Sequence, residues 1–203
     1  NFLTPVTRAG AIYKNDFATS YNQYSVLLED QSCLTADQDL GVVAFFHRQC
    51  SSYPKGNLPD GTAASNGSGR VQVSFSLDRG TSWDTTKVIT SDGNRYPSGG
   101  LYNPDGNLDI NNVYAVVGGP SLNAPDGSDG GEWASNYVGS MKLDGTNQDE
   151  NYLGDVMTGE SSGTPTFFTL RNYMTVLDNG TAYIGGSDFN YDGTVLEQIG
   201  YKV

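Results

Sequence analysis

Histidine and cysteine are nearly missing from this chain: His47 is the only histidine, and Cys33 and Cys50 are the only cysteines in 203 residues. A His/Cys metal cluster needs more ligands than these and is excluded. A Ser-His-Asp hydrolase would have to use His47. That residue closes the run Val42-Val43-Ala44-Phe45-Phe46-His47, alternating with residues that read as buried, so a hydrogen-bonded strand histidine is the expectation. The two cysteines leave two readings open, one disulfide in an oxidising compartment or two unpaired thiols on adjacent strands. Positive charge is scarce as well, with 11 Lys and Arg against 23 Asp and Glu and a net charge of −12. A field of that sign repels phosphate backbones and anionic membrane surfaces, which argues against nucleic-acid or lipid-surface partners. No apolar run approaches the roughly 20 residues needed to span a bilayer. The sequence opens at Asn1 without a signal-peptide pattern and reads as a mature or excised segment.

Helical periodicity is the next absence. No segment of useful length holds an apolar i, i+3, i+4 pattern with a cap at each end. What the chain has instead is turn chemistry and tyrosine: 26 Gly, 8 Pro and 13 Tyr, which suit short half-buried strands joined by tight turns. The strand-like runs are Tyr24–Leu28, Gly41–His47, Val71–Leu77, Val113–Val117, Tyr137–Leu143, Tyr173–Leu177, Thr181–Gly185 and Val195–Tyr201. Between them stand Pro59-Asp60-Gly61, Ser91-Asp92-Gly93-Asn94, Pro104-Asp105-Gly106-Asn107 and Asp178-Asn179-Gly180, the last being the strongest hairpin signal. Ser51–Arg70 and Leu122–Trp133 read as long surface loops, and residues 1–23 as an extended arm or incomplete element.

One motif is specific. Ser76-Leu77-Asp78-Arg79-Gly80-Thr81-Ser82-Trp83 follows a strand and leads into another at Thr85–Ile89. Ser76 and Asp78 are placed to hydrogen-bond turn amides that no ladder satisfies, Gly80 permits a positive φ, and Trp83 offers an apolar plate to fix the hairpin. The stretch resembles the Asp box of sialidases and related β-propellers, with Ser82 where the pattern has Thr. A weaker copy, Ser140-Met141-Lys142-Leu143-Asp144-Gly145-Thr146-Asn147, lies 64 positions on and lacks the Trp. The region from Val71 to Gln148 also resembles propellers of large bacterial surface proteins exported by type IX secretion, and Asp84-Thr85-Thr86 resembles their short O-glycosylation motif, the alternative being a plain strand start.

The resemblance implies an all-β fold, a β-propeller with an Asp-box hairpin. Blades run at approximately 24–90, 96–150 and 165–203, about three blades of a larger ring. Its location would be extracellular or the bacterial cell surface, as part of a longer polypeptide. The sialidase chemistry of the family uses an arginine triad and a Tyr–Glu nucleophile pair. Six arginines are present, Arg8, Arg48, Arg70, Arg79, Arg95 and Arg171, with no Arg-Ile-Pro motif and Arg79 on the Asp-box turn, away from the family's catalytic face. No catalytic residue is therefore assigned. A non-catalytic scaffold or binding role is expected, the alternatives being a hydrolase completed by residues outside this chain and a segment that packs against a secretion or adhesion partner. No cofactor is required, although Asp188-Phe189-Asn190-Tyr191-Asp192-Gly193 has the D-x-N-x-D-G opening of calcium loops, which makes Asp188, Asn190 and Asp192 candidate Ca2+ ligands and an Asx-rich turn the competing reading. Glycans or another surface protein are the candidate partners, with Tyr102, Trp133 and Tyr137 as aromatic contacts.

Overall fold

The computed structural model describes residues 18, 20, 32–50, 69–83, 85–91, 93–122, 133–152, 169–189 and 195–202. These residues form strands and a single 3-10 turn at Ile110–Asn112, with every strand pairing antiparallel. The first sheet is a meander of β1 (Leu34–Asp37), β2 (Val42–Arg48), β3 (Val71–Ser76) and β4 (Thr85–Val88). The second repeats it with β5 (Ser98–Tyr102), β6 (Tyr114–Leu122), β7 (Trp133–Lys142) and β8 (Asp149–Tyr152). The third holds β9 (Thr169–Val176), β10 (Ala182–Phe189) and β11 (Val195–Lys202). The chain is all-β with antiparallel sheets, and the described residues form no closed ring. Among them no helix is long and apolar enough to cross a membrane.

The sheets stack in chain order because alternate side chains of each strand point to opposite faces. Val42, Ala44 and Phe46 on β2 and Val71, Val73 and Phe75 on β3 turn toward the second sheet. There they meet Ala115, Val117, Tyr137 and Met141 to form the main core. The opposite face of the second sheet offers Val138, with Val116 beside it, to Met174 and Ile184 of the third. The first strands gather, with β5 packed against β1, β2 and β9.

Glycines make that stacking possible. A Cβ on Gly99 would stand 2.4 Å from the ring of Phe46, and one on Gly100 would stand 2.6 Å from Val176 Cγ2. β5 is thus clamped between a ring from the first sheet and a branched side chain from the third.

Of the expected strands, those at 41–47, 71–77, 113–117, 137–143, 173–177, 181–185 and 195–201 correspond to β2, β3, β6, β7, β9, β10 and β11, and the Thr85 strand start to β4. The Asp178-Asn179-Gly180 hairpin forms with Gly180 at φ 82°, its amide donating to Leu177 O over 2.9 Å. β1, β5 and β8 were not expected. β5 reads Ser-Gly-Gly-Leu-Tyr, and the glycines that let it fit conceal it as a strand. The segment Tyr24–Leu28, the arm 1–23 apart from residues 18 and 20, and all but the ends of the two long loops lie outside the described residues. Cys33 and Cys50 are both buried thiols that form no disulfide.

Gly99→Ala is expected to cost about 1–3 kcal/mol through overpacking against Phe46. A Gly99→Ala/Phe46→Leu double variant should recover part of that loss, and urea midpoints of the four proteins in the cycle measure the coupling. Additive losses would contradict the clamp.

Candidate functional site

Each meander puts its odd-numbered turns at one end of the molecule. At this end the β3–β4 connection is the turn from Ser76 to Trp83. Ser76 is 1% exposed; its Oγ donates to Asp78 Oδ1 over 2.7 Å and accepts from the Gly80 amide over 2.9 Å. The Asp78 carboxylate accepts from the Ser82 amide (2.8 Å) and the Ser82 hydroxyl (2.7 Å). Those bonds, with the one from Ser76, hold its pKa at about 2. Gly80 has φ 83°, and Trp83 Nε1 donates to its carbonyl over 3.0 Å. Arg79 docks the turn on its neighbour: its amide donates to Gly41 O over 2.8 Å, and its side chain lies across Gly41.

The weaker copy occupies the corresponding β7–β8 connection but works differently. Ser140 sits inside β7, paired with Val116 and Asp149, and so cannot organise the turn. Asp144 does so alone, accepting from the Thr146 hydroxyl over 2.7 Å and the Thr146 amide over 2.8 Å, bonds that lower its pKa. The two turns share a place in the sheet and an aspartate, with different hydrogen-bond patterns.

The same end carries a cleft of about 430 Å³. It lies where the three first strands finish: Thr35–Asp37 at the end of β1, Leu101 and the 103–108 loop after β5, and Val176–Asp178 at the end of β9. An amide–carboxylate network fixes its walls. Asp37 accepts from the Leu40 amide and from Asn103 Nδ2, each over 2.8 Å, tying the first sheet to the second. Asn107 Nδ2 in turn donates to Asn103 Oδ1 over 2.7 Å and to Asp109 O over 2.8 Å. Four aspartates, Asp37, Asp39, Asp105 and Asp178, line the cleft, and no Lys, Arg or His is among its described lining residues. Those carboxylates do not converge: among the described residues no group of three His, Cys, Asp or Glu could hold a metal ion. Sequence reasoning missed this cleft. Its only local signals were turn residues, Pro104-Asp105-Gly106-Asn107 and Asp178, that the tertiary fold brings together.

The other end is polar and buried. His47 is fully buried, with Nε2 2.9 Å from Ser74 Oγ, which is itself 2.8 Å from Thr86 Oγ1. Burial lowers its pKa to about 4, so it is a neutral strand histidine bridging β2, β3 and β4. Thr86 thereby has its hydroxyl engaged inside the sheet. Arg48, Arg70 and Arg95 are all buried here. Arg70 Nε donates to Ser91 O over 2.9 Å, and Arg95 Nη1 donates to Gly69 O and Asn94 O over 3.1 and 2.9 Å. Tyr152 hydrogen-bonds Glu150 on β8, the last strand of its sheet. The Glu150 carboxylate also accepts from the Ser91 amide and from Asn94 Nδ2. Burial pushes the Cys33 thiol up to about 12.

The aromatic candidates disperse. Tyr137 is fully buried in the core, 0% exposed, with its hydroxyl directed to Arg95 O; this corrects the expectation that its ring meets a ligand. Tyr102 is half-buried, its ring 6.2 Å from that of Tyr114 and packed over Gly180, between the second and third sheets. Trp133 begins β7, opposite Leu122, and its side chain lies outside the described residues. Asp188 falls near the end of β10, paired with Thr169, while Asn190 and Asp192 lie outside the described residues, as does the geometry of the calcium motif.

No family model matches the sequence, and no curated relative matches it. Among solved structures, a sialidase of Trypanosoma rangeli in complex with sialic acid is distantly similar, at 14% identity and a TM-score of 0.39. The similarity covers 84% of this chain and 28% of that one, so the chain spans under a third of the sialidase's length.

Ser76→Ala should lower stability by about 1–2 kcal/mol, because the Gly80 amide loses its acceptor; a shifted urea midpoint at unchanged slope reads it out. His47 gives a pH signature of known sign. Its folded pKa of about 4 lies below the ordinary 6.5, so its contribution is complete above pH 6.5. That contribution is lost as pH falls toward and through 4, by about 3 kcal/mol in total. A His47→Gln variant should lack that part of the acid slope when unfolding free energy is followed from pH 7 to 3.5.

Proposed function

We propose that this chain is a portion of a β-propeller of the Asp-box kind that serves a secreted or cell-surface protein as a binding scaffold. In support of the propeller arrangement, successive meanders stack face to face in chain order with their first strands gathered together. The observation that carries the binding role is the position of the cleft. It opens at the Asp-box end, where all three first strands finish, and the family resemblance puts sialidase chemistry at the other end. There, Arg70 and Arg95 donate to backbone carbonyls and staple loops, which leaves the known donors of those two guanidiniums directed at the protein itself.

One observation favours a second reading, a hydrolase completed elsewhere: Tyr152 is hydrogen-bonded to Glu150 at the end that holds the buried arginines. Against it, β8 is the strand of its sheet farthest from β5, and Glu150 is already bonded to Ser91 and Asn94. A fluorogenic sialoside separates the two. The scaffold reading expects the chain and its Tyr152→Phe variant to give the same background rate. Turnover that Tyr152→Phe or Arg95→Lys abolishes would establish the hydrolase instead.

A further inference from the structure

Large apolar side chains standing in water are uncommon in clusters, and two of them flank the cleft. Leu108, from the loop after β5, is 80% exposed, and Leu177, at the β9–β10 hairpin, is 41% exposed. They come from the connections that follow β5 and β9, and Leu101, Pro104 and Val176 also contribute to a lining that is otherwise mainly polar. The same lining carries the carboxylates of Asp39, Asp105 and Asp178, all on exposed residues. Asp37 is set apart, since both its oxygens are taken by Leu40 and Asn103.

We propose that this cleft docks an extended basic peptide segment of a partner protein, with an apolar side chain seated between Leu108 and Leu177 and flanking Lys or Arg side chains facing the aspartates. Charge complementarity selects that occupant. A cleft with carboxylates and no cationic side chain among its described lining residues disfavours anionic ligands, and the spread of the carboxylates is unsuited to a single metal ion. The volume of about 430 Å³ falls in the range of sites that enclose one or a few side chains. The Asp37–Asn103–Asn107 network holds the walls before a ligand arrives, which reduces the ordering cost of binding.

The proposal rests on the binding-scaffold reading, yet the two fail separately, because sialoside turnover and peptide binding are different measurements. The test is fluorescence anisotropy with a labelled peptide of alternating Lys and Leu. Alternating Lys-Gly and Glu-Leu peptides of equal length serve as controls. The Lys-Leu peptide should bind, the Glu-Leu peptide should not, and the Lys-Gly peptide should bind distinctly more weakly. Leu108→Gln, at a side chain already in water, and the triple Asp39→Asn/Asp105→Asn/Asp178→Asn should each weaken the Lys-Leu peptide, the triple by about tenfold at low salt. Asp149→Asn, an exposed charge in the β7–β8 region, should change affinity less than about twofold. Equal affinity for Lys-Gly and Lys-Leu, or indifference to Leu108→Gln and the triple, would reduce the binding to the attraction of a −12 protein for any cation and overturn the site.

Discussion

The approach of three backbones at β5 is the constraint on which the rest depends. Gly99 admits the ring of Phe46 from one side, and Gly100 admits Val176 from the other. Stacked sheets ordinarily lie about 10 Å apart with side chains interleaved between them. At β5 the glycines remove one layer of side chains, so the first strands of the three sheets come closer than their neighbours. Gly118 extends the pattern into β6, where a Cβ would stand 2.5 Å from Ile184 Cδ1. The cleft follows from this, because strands drawn together through their length diverge into turns where they end.

The two ends of the molecule handle polarity in opposite ways. At the cleft end, turn aspartates serve as acceptors for their own hairpins: Asp78 through Ser82, Asp144 through Thr146 and Asp37 through Leu40. Each satisfies amides that the ladder leaves over at a strand end. At the other end polar groups are buried, and burial demands partners. Arg70, Arg95 and Glu150 supply them to the backbone of the connections at Gly69, Ser91 and Asn94. The guanidiniums of Arg70 and Arg95 thus act as cross-links between loops.

The same end holds its polar side chains against other groups of the protein, Arg70 and Arg95 against backbone carbonyls. The neutral His47 fits the same picture, because its ring links β2 to the Ser74–Thr86 pair and has no route to solvent.

The sequence by itself determined the fold class and most strands, since alternation and turn residues are local properties carried by a few adjacent positions. It also determined the turn after β3, whose bonds run over at most four residues from Ser76 to Trp83. What only the tertiary structure decided were relations between distant positions. β5 was illegible because its glycines answer to Phe46 and Val176, more than fifty residues away on either side. Tyr137 stood at the start of an expected strand as a candidate aromatic contact until the second sheet turned it into the core. The cleft was hidden for the same reason: Asp39, Asp105 and Asp178 belong to three separate turns, and nothing in the sequence states that three strand ends meet.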